Sequence, residues 1–250
     1  MRSYFTDQKF LHATAVLVGT MVGVGIFGIP FVFAKAGFIV GTLFLLFAAG
    51  ATLLSNLFFA EVILRTDAQH QLVGYAERYL GSGYKRLMLM TNTLGIYGAL
   101  LAYIIVVGEF LHNIFSVSFY LHPTTYSVIF AVLMAILLLA RFRTVATIEF
   151  FLTGLFFAVV AIIVLVGVPK IDSNNYLGIT WQFWFLPYGV LLFAFGGLTS
   201  VPIQRQILIG QEHKLRSAII LAVSIGAILY FIFAAVVVGI SGDITSPDAL

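Results

Sequence analysis

Apolar residues run through this chain in long blocks separated by short polar connections, with no alternation at a strand period. The blocks lie near residues 11–33, 39–64, 86–113, 124–140, 146–168, 185–208 and 217–240. A hydrocarbon core of about 30 Å is crossed by about 20 helical residues at 1.5 Å each. The pattern therefore predicts an all-α membrane protein with about seven transmembrane helices, organised as one membrane domain over residues 1–250.

Two of the stretches outside the blocks carry readings of their own. Residues 1–10 form a short polar lead with Arg2, Asp7 and Lys9, followed by an apolar run too long for a signal peptide and without its cleavage site, so the first block is expected to be retained. The connection 65–85 carries Leu72, Tyr75, Ala76 and Tyr79 at helical steps of 3, 1 and 3, which predicts a short helix lying on the membrane surface.

The first block is interrupted. Gly19-Thr20-Met21-Val22-Gly23-Val24-Gly25-Ile26-Phe27-Gly28-Ile29-Pro30 places four glycines and a proline where a lipid-crossing helix avoids both. A helix broken at that depth leaves amide and carbonyl groups that hydrocarbon cannot satisfy, so they must face protein, water or a polar solute. Gly19 and Gly23 alone read as a small-residue packing face between helices sooner than as a site, whereas Gly25, Gly28 and Pro30 add what packing does not need.

The sixth block repeats the signal. Phe193-Ala194-Phe195-Gly196-Gly197-Leu198-Thr199-Ser200-Val201-Pro202 again joins glycines to a proline, and Gly197 precedes Pro202 by the same step as Gly25 precedes Pro30. The two stand five spans apart, the first and the sixth, so they run in opposite directions. Paired interrupted helices in corresponding positions point to the midplane site of a secondary transporter.

Composition and charge agree with a bilayer setting. The chain is 61% hydrophobic and 9% charged, with mean hydropathy +1.08, far from the balance of soluble domains. With the N-terminus in the cytoplasm, Arg2, Lys9, Arg65, Arg78, Lys85, Arg86, Arg141, Arg143, Arg205, Lys214 and Arg216 fall inside and only Lys35 and Lys170 outside, out of 13 Lys and Arg. One miscounted span would scramble that asymmetry, so it supports both the parity of the spans and an orientation with the N-terminus inside; the expected location is the cytoplasmic membrane, as a multi-pass protein. The absence of Cys excludes disulfides and thiolate metal sites.

The run from Gly19 to Pro30, continued by Phe31-Val32-Phe33-Ala34-Lys35-Ala36-Gly37-Phe38, resembles the first helix of permeases of the amino acid-polyamine-organocation superfamily, nearest the tryptophan/tyrosine and amino acid/auxin permease branches. The run Phe193 to Pro202 is similar to their broken sixth helix. The resemblance implies two inverted five-helix repeats, the first over residues 1–168 and the start of the second over 185–250. On that pattern the chain is a C-terminally truncated fragment.

The resemblance also implies the site. Amides around Gly23, Val24 and Gly25 would hold a substrate carboxylate, carbonyls near Met21, Phe193, Ala194 and Gly196 would hold its ammonium, and Phe193 and Phe195 would supply an aromatic lid. Asn92, Gly95, Ala99 and Tyr103 share a face of the third span, and Tyr103 is its candidate contact. The implied function is cation-coupled symport of an amino acid, hydrophobic or aromatic, with lipid and substrate as partners, no nucleic acid, no cofactor and an open oligomeric state. The fifth span lacks the lysine and Thr199 replaces the glutamate that some proton-coupled branches carry, which leaves H+ and Na+ both open as the coupling ion.

The remaining polar residues are read more plainly. Glu109, near the outer end of the third span, is the candidate for a proton or gating role, while Glu61 and Glu149 are expected to pair with Arg65 and Arg143. The five His lie at span ends without metal spacing, and Tyr84, Tyr120, Tyr126, Trp181 and Trp184 match an interfacial aromatic belt. Phosphate-loop, zinc-protease and nucleophile-elbow motifs are all missing, which argues against an enzyme. The alternatives within reach of the same sequence are a non-transporting amino acid sensor, like germination receptors, and an inactive fragment.

Overall fold

The first apolar block folds as two helices rather than one: α1, Gln8–Met21, and α2, Gly25–Ala36, meet at an angle of 58°. The computed structural model describes residues 7–116, 121–139 and 142–246. Asp7 opens α1 by accepting from the Lys9 amide, one of the donors that a helix start leaves free. Gly37 closes α2 with φ +98°, a conformation open to glycine, and its missing side chain makes room for the Gly178 carbonyl.

The later blocks give α3, Phe38–Leu64; α5, Ser82–Phe115; α6, Pro123–Leu138; α7, Phe142–Gly167; a sixth span in two parts, α8, Leu186–Ala194, and α9, Val201–Ile207; and α10, Leu215–Ser241. The expected amphipathic segment is α4, Leu72–Leu80, with Tyr75 and Ala76 buried. Among the described residues, four helices are long and apolar enough to cross a membrane, and the bent pair is a fifth. The fourth and fifth blocks supply shorter apolar helices, Pro123–Leu137 and Gly154–Lys170. Several helices run past their apolar blocks, as α5 does by starting at Ser82, because backbone hydrogen bonding continues where polar side chains can reach the interface.

By packing, the chain forms two compact units, Met1–Lys85 with Ile162–Leu250, and Arg86–Ala161. In the first, α10 is the central helix. Ala218, Ala222 and Gly226 recur on its buried face at steps of four, and such small residues let helices approach closely where lipid supplies no hydrophobic drive. The Met21 methyl sits against Gly226, 3.3 Å from where a side-chain carbon would be. Gly167 admits Val236 and Ile240 in the same way.

Polar contacts set the direction of the spans in this unit. The Lys9 ammonium donates to the Ile209 carbonyl at 2.9 Å and Lys214 binds the Asp7 carboxylate at 2.5 Å, so the start of the first span and the end of the sixth lie together. At the other end, the Thr180 amide donates to the Ala36 carbonyl at 3.3 Å. The first and sixth spans therefore run antiparallel, as their odd separation requires.

In the second unit, His112 and Tyr126 pack ring to ring at 5.8 Å, and Ser127 lies against Gly108. Tyr126 is 6% exposed, so it is a packing residue and not the interfacial anchor expected of it. Tyr84, Trp181 and Trp184 are exposed. Tyr120 and the side chain of Glu149 lie outside the described residues.

Candidate functional site

The first break is short. Val22 donates to the Val18 carbonyl at 2.8 Å and ends the α-helical pattern, and Gly23 turns back to the Met21 carbonyl at 2.9 Å. Hydrogen bonding resumes with Ile26 to Gly23 and Phe27 to Val24. The amides of Val24 and Gly25 stand at the start of α2 and, among the described residues, donate to no backbone carbonyl. Pro30 lies inside α2 and not at the break; its missing N–H removes a bond to the turn before it.

The second break has the opposite polarity. Phe195 donates to Leu191 and Gly196 to Phe193, both at 3.0 Å, and then the chain extends through Gly197. A 3-10 turn, Leu198–Ser200, starts the second half, with the Ser200 amide and hydroxyl both donating to the Gly197 carbonyl. Pro202 falls at the first turn of α9, where its lost donor costs nothing. Among the described residues, the carbonyls of Phe195 and Gly196 accept from no backbone amide.

These two breaks touch. A side-chain carbon on Gly25 would lie 2.9 Å from the Ala194 Cα and 3.2 Å from the Phe193 ring, so only glycine permits this approach. Gly197 likewise admits Leu17 and Met21 of α1. Tyr230 of α10 joins both: its hydroxyl lies 2.7 Å from the Met21 carbonyl and 2.8 Å from the Ala194 carbonyl, sharing one proton between them. Tyr230 is fully buried, and the Phe195 ring packs edge-on against it at 5.1 Å. Neither Tyr230 nor its role was marked by the glycine-proline pattern; the single tyrosine of a largely apolar α10 was the available signal.

The expected site residues divide as follows. Met21, Gly23, Val24, Gly25, Ala194, Phe195 and Gly196 come together at the paired breaks. The Met21 carbonyl is taken by Gly23 and Tyr230, that of Ala194 by Tyr230, and that of Phe193 by Phe195 and Gly196. Phe195 is buried, whereas Phe193 is 43% exposed beside Gly25. Tyr103 and Glu109 lie on α5 in the other unit, Tyr103 on the same face as Asn92, Gly95 and Ala99. A side-chain carbon on Gly19 would meet nothing within 4 Å among the described residues, so no close helix contact is built on that member of the small-residue pair.

Two buried amides were also missed. The Gln204 Nε2 donates to the Ala13 carbonyl at 3.0 Å and ties α9 to α1. Asn56 of α3 is 1% exposed beside the second break.

Charged groups gather at the end of this unit where α1 and α10 start. Glu61 binds Arg65 at 2.6 Å, as expected, and also Arg216 at the start of α10. Arg205 donates to the Thr66 carbonyl at 3.2 Å and reaches the Tyr75 hydroxyl at 3.5 Å, linking α9 to α4. The Lys214 ammonium, helped by the Lys9 amide, holds the Asp7 carboxyl below its ordinary pKa. Among the described residues, no three His, Cys, Asp or Glu side chains group to hold a metal.

Residues 6–245 match the tryptophan/tyrosine permease family. The chain is 25% identical to glutamine transporter 2 of Aliivibrio fischeri over 243 residues, 92% of this chain and 61% of that protein. It is 24% identical over 180 residues to a Plasmodium falciparum protein named as a candidate amino acid transporter, AAT1, covering 70% of this chain and 29% of that one. The chain thus spans less than two thirds of the length of either relative.

Proposed function

The chain belongs to the tryptophan/tyrosine permease family, and from that premise we propose that it acts in secondary transport of an amino acid, holding the zwitterion between the two helix breaks. The observation that carries this reading is that both breaks, on antiparallel spans, meet at Gly25 and Ala194 and share one hydroxyl. The open start of α2 offers amides and the positive end of a helix to a carboxylate. The second break offers carbonyls to an ammonium group.

Tyr230 gives the site a resting partner. An incoming ammonium would take the Ala194 carbonyl from the tyrosine hydroxyl, exchanging a neutral hydrogen bond for a charge-assisted one about twice as strong. The contact between Gly25 and Ala194 leaves no room for a solute, so loading requires the breaks to part. That movement is the alternation which transport needs.

The finer features follow the same reading: two inverted repeats within one membrane domain, an N-terminus in the cytoplasm of a cell membrane, and coupling to H+ or Na+. The clustering of Lys9, Arg65, Arg205, Lys214 and Arg216 at one end of the first unit supports that orientation. Phe193, exposed beside Gly25, supports an apolar or aromatic side chain as substrate, while the glutamine transporter relative puts glutamine on the same test. Labelled tryptophan, tyrosine and glutamine are to be offered to proteoliposomes under imposed H+ or Na+ gradients. Uptake that stops when the gradient is dissipated is the expected result; no gradient-driven uptake of any standard amino acid overturns the reading.

A further inference from the structure

The connection between α7 and α8 is fastened across the end of the first unit where α2 and α10 finish. It holds three 3-10 turns, Val168–Lys170, Ser173–Tyr176 and Trp181–Phe183. The middle turn, opened by Asp172 accepting from the Asn174 amide at 2.9 Å, sits on the last turns of α10. The Asp172 amide and the Asn175 Nδ2 both donate to the Gly239 carbonyl at 2.9 Å, and the Tyr176 hydroxyl donates to the Ala235 carbonyl at 2.8 Å. A side-chain carbon on Gly239 would strike that hydroxyl, so glycine makes room for the turn. Further on, the Thr180 amide donates to the Ala36 carbonyl at the end of α2 at 3.3 Å, and the segment then continues into α8. One segment therefore ties together the ends of α2, α8 and α10.

The chemistry of these fastenings makes them reversible. Gly239 is among the last four residues of α10, whose carbonyls find no partner inside the helix, and water can take the place of each donor there, so each bond has only a modest net worth. The segment is half-buried at Asn175 and Tyr176 and exposed at Ser173, Asn174 and Leu177. Gly178, with φ +110° and open space around it, is a joint between the turn held on α10 and the bond to α2. Below the segment, α2 meets α10 through the Phe27 and Phe233 rings, edge to face at 6.3 Å, and Phe233 is 1% exposed. Tyr230, which bonds both breaks, lies less than one turn beyond Phe233. We propose that the connection 168–185 is a releasable strap over the seam between α2 and α10: fastened, it bars this end of the path to the breaks, and let go, it opens the seam down to Tyr230. The proposal rests on the transport reading in taking the breaks as the place a solute must reach.

Because the chain contains no cysteine, a single Phe233→Cys reports on the seam without background, and Ala36→Cys, at a position 0% exposed, reports at the strap itself. The full chain in proteoliposomes is labelled with a small methanethiosulfonate reagent. Asn175→Ala with Tyr176→Phe removes two of the bonds to α10 and should speed labelling of both reporters about tenfold, the shift expected from the net loss of two hydrogen bonds. Asp7→Asn, which weakens the opposite end of the same unit, should leave both rates unchanged. If Phe233→Cys does not insert, amide hydrogen exchange over residues 26–36 of the cysteine-free chain reads the same opening, and it should rise in the double variant and not in Asp7→Asn. No change in the double variant, faster labelling at Ala36→Cys with Phe233→Cys still protected, or an equal rise in Asp7→Asn would each overturn the proposal. The second outcome would mean that the segment packs on the helix ends without guarding the seam, and the third that the whole unit loosens. Labelling needs no transport, so failure of gradient-driven uptake with these responses intact counts against the transport reading and not against the strap.

Discussion

A side-chain carbon on Gly25 would lie 2.9 Å from the Cα of Ala194, closer than two such carbons pack. Backbone, not a flexible side chain, is what it would strike. Gly25→Ala should therefore force the two breaks apart, at a cost of about 1–3 kcal/mol typical of overpacking, and reduce uptake about tenfold or more while insertion is retained. Gly19→Ala, two turns earlier with open space around it, is the control and should leave uptake unchanged or slightly stabilise α1. Melting and uptake of the two variants side by side check this, and equal behaviour would remove the special role of Gly25.

Tyr230→Phe should separate stability from binding. The Ala194 carbonyl loses the partner that Tyr230 gives it, for a penalty of about 1–3 kcal/mol in a melting experiment. Substrate no longer competes with the hydroxyl for that carbonyl, so its Kd should stay level or improve. Stability and affinity falling together would contradict the competition between tyrosine and ammonium.

The Asp7–Lys214 pair should give the molecule an acid-sensitive joint. Lys214 and the Lys9 amide hold the Asp7 pKa below its ordinary value near 3.8, so the folded state favours the carboxylate. The stabilisation is complete above the ordinary value and is lost as pH falls through the lowered one. In melting curves from pH 6 downward, the advantage of the wild type over Asp7→Asn should be constant until about pH 4 and then shrink. Parallel curves over the whole range would show that the pair contributes nothing.

Arg205 should control the ordering of α4. Its bonds to the Thr66 carbonyl and the Tyr75 hydroxyl fasten the short helix to the end of the second break. Arg205→Met should raise hydrogen exchange across residues 66–80 while leaving α10 protected, since local opening follows the loss of local contacts. Unchanged exchange in α4 would show that Tyr75 and Ala76 hold it by packing alone.

Orientation is open to the same cysteine chemistry. Gln69→Cys, in the connection before α4, and Asn174→Cys, between α7 and α8, should react with a membrane-impermeant thiol reagent from opposite faces, Asn174→Cys from outside intact cells. Both labelled from one face would break the alternation of spans.

The positions of the apolar blocks, the amphipathic α4, the two helix breaks and the antiparallel run of the first and sixth spans were legible in the sequence by itself. Each is a local property of the chain: helix length follows from the hydrocarbon core, breaks follow from the backbone preferences of glycine and proline, and direction follows from counting crossings. Placement of the first break at Val22–Val24, with Pro30 carried inside α2, was finer than composition could resolve.

Only the tertiary structure decided what the freed backbone groups face. Met21 and Tyr230 are 209 residues apart in the chain, Glu61 and Arg216 are 155 apart, and Asn56 meets the second break across two helices. No local pattern selects such partners, because a hydroxyl or an amide in an apolar helix looks the same whether it serves a carbonyl, a solute or nothing until the helices pack. The glycines mark where backbone is exposed; the fold of α3 and α10 around them determines which groups are held in reserve and which are left open.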